Sequence, residues 1–317
     1  MIFKFEPLYL ERVWGGRALE TVLGRHLPSD ANYGESWDLV DRADFQSIIS
    51  SPSNKKITLR NLLESSSESV MGPGWDVDQN FPILVKWLDC SQRLSLQVHP
   101  PASCAKELHG EPKTENWFIA HSNPGAGLFI GLKNGVAKEE FLTAIETNHF
   151  ESVCHWTESH VGGSVFVPSG RVHAIDQGNL ILEIQQNSDT TYRVHDWGRK
   201  AENGKSRELH VEKSLKCIDF FDYEPQVIKE DDQETQLLAD CDYFRIKRLN
   251  LYDQQPITLK KKDYQCNIIN PIDVDIKIDD LLLPAGSLAL SPYSSDCRLI
   301  PQGSGKVLVT DNFFIPD

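Results

Sequence analysis

The chain has 317 residues, 40% hydrophobic and 25% charged, which is ordinary for a soluble globular protein and leaves room for two domains. Its formal net charge of -14 argues against a general nucleic-acid or anionic-membrane surface, although a cleft rich in Lys and Arg would still bind a small anion. Seven cysteines form no CxxC pair, which indicates free thiols in a reducing compartment. Without a long apolar run or a signal-peptide pattern, we expect a cytoplasmic protein.

Short strand-like segments dominate the first two thirds of the chain. They cover residues 81–88, 93–99, 117–120, 164–167 and 179–185, and Pro, Gly, Asn or Asp residues bound them. This spacing predicts a sandwich or barrel rather than alternating βαβ units. Helices are predicted over 57–70, 138–149 and 208–218, the first with Thr58 as N-cap and Gly72 as its stop.

A charged segment with little hydrophobic pattern, residues 223–236, is predicted to be a linker. It separates a predicted domain at 1–222, which has helical insertions, from a second, smaller β-barrel domain at 237–317. The second domain contains no histidine, so we expect any metal site in the first.

The segment RLSLQVHP, residues 93–100, alternates apolar and polar side chains. The pattern places Leu94, Leu96 and Val98 on one face and puts three polar side chains on the other, Ser95, Gln97 and His99. In a small barrel, a polar face toward the lumen needs water, a metal or a ligand. The alternative is an exposed edge strand.

Two further segments carry candidate ligands. In KTENWF, Lys113, Glu115 and Trp117 share a face if the segment is extended, which suits either a polar pocket or a solvated strand. In VFVPSGRVHAI, His173 follows a Pro-Ser-Gly turn, either as a metal ligand or as an ordinary polar residue.

The most polar strand-like segment is LEIQQNSDTTYRVHDWGR, residues 182–199. While it stays extended, one face carries six polar side chains: Glu183, Gln185, Asn187, Asp189, Thr191 and Arg193. If buried, they need partners; otherwise the segment is a solvated hairpin. Together the segments supply two histidines, carboxylates and an amide, the ligand chemistry of an open mononuclear Zn, Fe or Mn site.

In order and spacing, RLSLQVHP, KTENW, VPSGRVHAI and EIQQNSDTTYRVHDWGR resemble the signature segments of type I phosphomannose isomerases (mannose-6-phosphate isomerases) of the cupin superfamily. YLERVWGGR and GESW near the start are similar as well. The resemblance covers about the first 220 residues, and the length resembles the short bacterial and archaeal members. It implies a mainly β fold of two cupin-type jelly-roll barrels with a few short helices.

The resemblance also implies site residues. One Zn²⁺ per chain would be held by four ligands, Gln97, His99, Glu115 and His173. Arg193 would be a catalytic arginine, with Lys113, Glu183 and Asp189 also lining the site. Candidates for the substrate phosphate are Ser95, Lys86 and Arg12. Asn116 and Pro112 depart from the family pattern, but neither replaces an implied ligand.

The implied reaction interconverts mannose 6-phosphate and fructose 6-phosphate through an enediol, with the proton carried by Lys113, Asp189 or Glu183. Three alternatives stay open. The chain could act on another sugar phosphate or free sugar, could bind sugar without catalysis, or could be a non-haem iron oxygenase. An amide ligand and a lysine beside the carboxylate fit the oxygenase less well.

Overall fold

A computed structural model describes residues 2–50, 56–200, 204–261 and 266–313. The chain divides into two units that interleave along the sequence. The terminal unit comprises Met1–Leu8, Trp37–Val85 and Glu230–Asp317, and the central unit comprises Tyr9–Ser36 and Lys86–Lys229.

Strands make up most of the described secondary structure. In chain order they are β1 (Phe3–Glu6), β2 (Leu8–Gly16), β3 (Tyr33–Leu39), β4 (Ile48–Ile49), β5 (Ile83–Cys90), β6 (Leu96–Val98), β7 (Glu115–Ser122), β8 (Gly127–Leu132), β9 (Cys154–Glu158), β10 (Ser164–Val167), β11 (His173–Ile175), β12 (Asn179–Gln186), β13 (Tyr192–His195), β14 (Thr235–Asp240), β15 (Arg245–Leu251), β16 (Ile257–Leu259), β17 (Asn267–Pro271), β18 (Ile276–Ile278), β19 (Leu281–Leu283), β20 (Ala289–Ser291), β21 (Cys297–Pro301) and β22 (Gly305–Asp311). The helices are α1 (Ala18–Thr21), α2 (Leu59–Met71), α3 (Ala102–Ala105), α4 (Lys138–Thr147) and α5 (Val211–Cys217), with a 3-10 turn at Phe150–Ser152.

The central unit is built on two sheets. One has the strand order β10-β7-β12-β5-β3-β2, in which the last residues of β3 and the first of β5 belong to the terminal unit. The other has the order β13-β6-β11-β8-β9. Apolar side chains of both sheets share one core, among them Trp117 and Ile119 of β7, Leu128 of β8 and Ile175 of β11. The polar site described below therefore lies between elements that a packed apolar core holds in place.

Helices cover the outer face of the five-stranded sheet. Leu96 and Val98 of β6 pack there with Val194 of β13, Phe141 of α4 and Cys217 of α5. Because side chains alternate along a strand, the side chain of Gln97 lies on the opposite face from its two apolar neighbours. This alternation directs a polar side chain from β6 toward the space between the sheets.

The terminal unit also contains two sheets. They have the strand orders β14-β15-β22-β17-β20-β1-β4 and β16-β21-β18-β19. A shared core includes Leu249 of β15, Ile269 of β17, Ile276 of β18 and Leu299 of β21. The N-terminal strand β1 pairs with β20 on one side and with β4 on the other, so segments far apart in sequence complete one sheet.

The mainly β fold with a few short helices is confirmed. Helices are present at all three predicted places, and Thr58 caps α2 as expected. Among the described residues, no helix combines the length and apolar character needed to cross a bilayer. The pairing of each unit's sheets into a jelly-roll barrel stays a prediction. Beyond the predicted linker the sequence also predicts a strand at 265–269, and β17 lies there; residue 265 is outside the described residues.

The observed units differ from the predicted division at 222 and 237. Residues 2–8 and 37–85 group with the C-terminal segment, because β1 and β4 extend its seven-stranded sheet. The predicted linker is also more ordered than its charge suggested. Tyr223 and Ile228 form isolated bridges to Leu132 and Ser164 of the central unit. The domain boundaries from sequence therefore stay a prediction that the observed grouping does not follow.

Candidate metal and substrate site

Neighbouring strands of the central unit bring the candidate ligands together. His173 of β11 lies opposite Gln97 of β6, and Gln97 in turn lies opposite Arg193 of β13. His99 follows β6 by one residue, and Glu115 begins β7 in the facing sheet. His99, Glu115 and His173 form a buried group whose candidate donor atoms all lie within 4.8 Å of one another.

Main-chain carbonyls fix the orientation of both histidine rings. Nδ1 of His99 lies 2.8 Å from the carbonyl oxygen of Thr190, and Nδ1 of His173 lies 2.9 Å from that of Arg171. Because a carbonyl only accepts, each Nδ1 donates, and each neutral ring keeps a lone pair on Nε2. Those Nε2 atoms lie 3.4 Å and 3.5 Å from the oxygens of Glu115.

Burial keeps both rings uncharged. It lowers the pKa of His99 to about 4, helped by the positive charge of Lys113. Burial likewise lowers the pKa of His173, although Glu115 opposes the shift. A neutral imidazole is the form that binds a metal ion, so near neutral pH both histidines are in the protonation state a ligand needs.

Glu115 supplies the negative charge of the group. Burial opposes its ionisation, but Lys113 and the two histidines hold the pKa of this carboxyl well below its usual value. Nζ of Lys113 lies 2.8 Å from Oε2. Oε1 has no hydrogen-bond donor among the described residues and lies 3.5 Å from Nε2 of His173. Two imidazole nitrogens and a buried carboxylate suit a divalent transition metal such as zinc.

Gln97 lies next to this group, and its amide nitrogen, rather than its amide oxygen, faces His173. Its Nε2 lies 3.2 Å from Nε2 of His173, while its Oε1 accepts a hydrogen bond of 3.3 Å from Ser95. Only the amide oxygen can bind a metal ion. Gln97 would therefore act as a ligand after rotation of its amide, a change that exchanges oxygen and nitrogen in the same place.

A second cluster of charges joins the metal group to the rest of the site. Glu183 accepts a hydrogen bond of 2.9 Å from the indole of Trp117 and lies 3.1 Å from Nζ of Lys86 and 3.4 Å from Nζ of Lys113. Burial opposes the charge on Lys86, yet Glu183, Glu35 and Asp189 raise its pKa. The network holds the side chains of both lysines against buried carboxylates.

These side chains line a cavity of about 320 Å³ in the central unit. Of the residues predicted for the site, eight line this cavity: Arg12, Lys86, Ser95, Gln97, Lys113, Glu183, Asp189 and Arg193. The remaining three, His99, Glu115 and His173, form the buried group beside it and reach it through Lys113 and Gln97. The structure therefore brings the predicted residues into one region.

Arg193 makes few polar contacts for a partly buried arginine. Its Nη1 donates to the carbonyl of Glu208 at 2.7 Å, whereas its buried Nε has no acceptor among the described residues. Burial and the nearby Arg207 lower the pKa of Arg193. An N–H group without an acceptor beside a cavity is available to a ligand.

Two charged lining residues were missed from sequence. Glu35 binds Arg12 through both oxygens, at 3.1 Å and 3.0 Å, and lies in the GESW segment that already resembled the family. Arg207 lies in no helix or strand, and the sequence before it has no hydrophobic pattern, so no periodicity marked it. A search for charged residues within the family segments would have found the first residue but not the second.

One predicted alignment of side chains is wrong. Leu94 does not share a face with Leu96 and Val98; it packs in the core between the sheets and lines the cavity. The reason is that β6 covers only Leu96–Val98, so strict alternation stops before Leu94. The alternation predicted from Glu183 to Arg193 is also interrupted, because β12 ends at Gln186 and β13 begins at Tyr192.

Comparison with known proteins gives consistent matches. Residues 2–115 match the family model described as phosphomannose isomerase type I, catalytic domain. The chain is 38% identical over 257 residues to mannose-6-phosphate isomerase ManA of Bacillus subtilis, with 78% of each chain covered. It is 35% identical over 219 residues to mannose-6-phosphate isomerase of Streptococcus mutans, with 67% of this chain and 68% of the other covered.

Solved structures agree with these sequence matches. The crystal structure of mannose 6-phosphate isomerase from Bacillus subtilis superposes with a TM-score of 0.84 at 27% identity, covering 98% of this chain and 99% of the other. A putative mannosephosphate isomerase from Archaeoglobus fulgidus superposes with a TM-score of 0.78 at 19% identity, covering 98% and 96%. The second match concerns the fold alone.

Proposed function

Since the chain belongs to the type I phosphomannose isomerase family, we propose that it interconverts mannose 6-phosphate and fructose 6-phosphate, with one zinc ion and an enediol intermediate. The observation that carries the zinc-dependent part is the buried group of His99, Glu115 and His173 beside a charged cavity. With Gln97, these residues would hold the ion. When bound, zinc supplies a Lewis acid that stabilises negative charge on substrate oxygens.

The chain's own residues supply the proton transfer and further charge stabilisation. An aldose and a ketose interconvert when a proton leaves the carbon next to the carbonyl and returns to the neighbouring carbon. Negative charge develops on oxygen as the proton leaves. Arg193 of β13 lies opposite Gln97 of the paired strand β6, and its Nε–H has no acceptor in the described part of the chain. Arg193 would therefore donate a hydrogen bond to the substrate oxygen on which the charge develops.

The contacts favour Asp189 among the three candidate proton carriers. Glu183 already interacts with Trp117, Lys86 and Lys113, and Lys113 lies against two carboxylates. Asp189 is exposed, lines the cavity and makes no hydrogen bond or ion pair within the described residues. A carboxylate free of other partners can accept the proton and return it.

A coupled enzyme assay tests this function. Purified protein should convert mannose 6-phosphate to fructose 6-phosphate, lose activity on dialysis against a chelator, and regain it with Zn²⁺. Glucose 6-phosphate and free mannose serve as comparison substrates, and metal analysis of protein purified without added metal identifies the ion. Full activity in metal-free protein would refute the zinc assignment. Preference for another sugar would replace the substrate, and iron with no isomerisation would favour an oxygenase.

A further inference from the structure

The cations around the cavity differ in how far they are neutralised. Arg12 forms a two-pronged ion pair with Glu35. Lys86 and Lys113 both lie against Glu183, and Lys113 also lies against Glu115. A dianionic ligand near these three cations would compete with carboxylates already in place. This part of the cavity therefore has little positive charge left for an anion.

The opposite situation holds around Asp196. This carboxylate receives hydrogen bonds from both Arg199, whose Nε lies 3.2 Å from Oδ1, and Arg207, whose Nε lies 2.8 Å from Oδ2. Arg193 is close enough to Arg207 for their charges to interact, and no carboxylate pairs with it among the described residues. Two guanidinium groups thus share one buried carboxylate and a third, that of Arg193, lies near them, so positive charge exceeds negative charge among the described residues here.

Asp196 fixes Arg207 while leaving one side of its guanidinium available. Nε and Nη2 of Arg207 both donate to the carboxylate of Asp196, so this bidentate contact fixes the guanidinium group. Nη1 makes no hydrogen bond within the part of the chain that the structure describes. Arg207 lines the cavity, together with Arg193, Ser95 and Thr191. A preorganised guanidinium with a free amino group is well suited to a phosphate oxygen.

Asp196 and the two arginines that bind it lie toward the beginning of the segment that carries Gln97. The loop at Asp196 is attached to the beginning of that segment, because Trp197 donates to the carbonyl of Leu94 and Arg199 donates to the carbonyl of Arg93. His99 lies at the other end of the same segment. A sugar phosphate bound by its carbonyl end near His99 would have its phosphate toward the loop.

We propose that Arg207 binds the phosphate group of the substrate and thereby makes the enzyme select a phosphorylated sugar over the free sugar; this inference rests on the proposed function. Arg193, which lies opposite Gln97, serves the reacting end, and Arg207 serves the phosphate end. Asp196 is a positioning residue, since it acts through Arg207. Ser95 donates to Oε1 of Gln97, and rotation of that amide to bind a metal would free the hydroxyl to donate at the phosphate end.

Steady-state kinetics of Arg207→Ala with two substrates test the proposal. We expect KM for mannose 6-phosphate to rise on the order of 10- to 100-fold, since a hydrogen bond to a charged group is lost. For free mannose, whose kcat/KM should be smaller than that for mannose 6-phosphate, Arg207→Ala and the wild type should have the same kcat/KM. Arg207→Lys keeps the positive charge but cannot make the bidentate contact with Asp196. Its KM for mannose 6-phosphate should therefore lie between those of the wild type and Arg207→Ala. Lys216→Ala removes an exposed cation of the central unit and should match the wild type.

An equal loss of kcat/KM for both sugars would show a structural role and overturn the proposal, as would an unchanged KM. Calorimetric titration with inorganic phosphate provides a readout that does not depend on turnover. Phosphate should bind the wild type at least 10-fold more tightly than Arg207→Ala, and equal affinity would also overturn the proposal. A wild type that binds phosphate through Arg207 but does not isomerise mannose 6-phosphate would instead refute the proposed function.

Discussion

At the scale of single residues, the site depends on which nitrogen of each histidine carries the proton. Carbonyl groups of Thr190 and Arg171 accept hydrogen bonds from Nδ1 of His99 and His173, so both Nε2 atoms keep their lone pairs. Burial then disfavours protonation of either ring. The orientation of the rings and their charge state are therefore set before a metal ion arrives, which lowers the free-energy cost of binding it.

Replacing one of these rings tests the metal site directly. His173→Ala should reduce bound zinc from one ion per chain to nearly none and abolish isomerisation, because the remaining group of ligands is incomplete. Mass spectrometry of the metal content measures the change without reference to activity. His160→Ala, which removes an exposed histidine of the same unit, should retain its zinc. Undiminished zinc in His173→Ala would exclude this histidine as a ligand.

Asp189 provides the corresponding test of proton transfer. Asp189→Asn keeps the shape of the side chain but removes the basic oxygen, so we expect kcat to fall by on the order of 10² to 10⁴ while zinc content stays the same. Exchange of the transferred hydrogen with deuterium from solvent should slow in parallel. Glu183→Gln is the informative comparison: if its kcat falls and that of Asp189→Asn does not, Glu183 is the proton carrier.

At the scale of secondary-structure elements, sequence patterns predicted where strands and helices lie better than what each face contacts. The polar face of β6 was predicted because Gln97 alternates with Leu96 and Val98 inside a real strand. Leu94 was misplaced because alternation has no meaning where the chain leaves the strand. The alternation of apolar and polar residues in a sequence does not show at which residue the pairing between two neighbouring strands ends.

Arg207 illustrates a second limit of local patterns. Its role depends on Asp196, eleven positions earlier, and on a loop whose backbone reaches the carbonyls of Arg93 and Leu94. Neither contact leaves a periodic signal in the sequence. By contrast, the implied metal ligands lie in long segments that resemble the family's signature segments. The resemblance therefore predicted these residues, although their spacing alone did not identify a metal.

The N-terminus of α2 gives a test at this scale. The Thr58 hydroxyl accepts a hydrogen bond from the amide of Asn61 at 3.1 Å, and the Asn61 side chain accepts one from the amide of Thr58 at 3.3 Å. Thr58→Ala should lower the free energy of unfolding by about 1 kcal/mol, because the first turn loses an acceptor. Urea denaturation measures this loss. Thr58→Ser keeps the hydroxyl and should be closer to wild type; equal stability of all three proteins would argue against the cap.

At the scale of the whole molecule, the chain passes between its two units more than once. The N-terminal strand β1 and the segment 37–85 belong with the C-terminal residues, whereas the site lies wholly in the central unit. The division predicted from sequence, with a linker at 223–236 between domains at 1–222 and 237–317, contains only one passage between domains and stays a prediction. Pairing of β1 with β20 joins opposite ends of the sequence, and no local pattern predicts such a contact.

Truncation tests this interleaving. A chain ending at residue 229 should be unstable and aggregate, because β1 and β4 lose the sheet that they extend and the core of the terminal unit is removed. Circular dichroism and size-exclusion chromatography would measure the effect. Supplying residues 230–317 as a separate chain during refolding should restore soluble protein. If residues 1–229 alone are monomeric, bind zinc and isomerise the substrate, the predicted linker was the true domain boundary.

The pairing of β1 with β20 also has a consequence for biosynthesis. On the ribosome β1 is synthesised long before its partner β20, because most of the chain lies between them. Until then, β1 has an unpaired edge that can associate with other chains, and the terminal unit cannot fold. The central unit differs in this respect, since all its segments are synthesised by residue 229. Every residue of the candidate site is therefore synthesised before β1 can pair with β20.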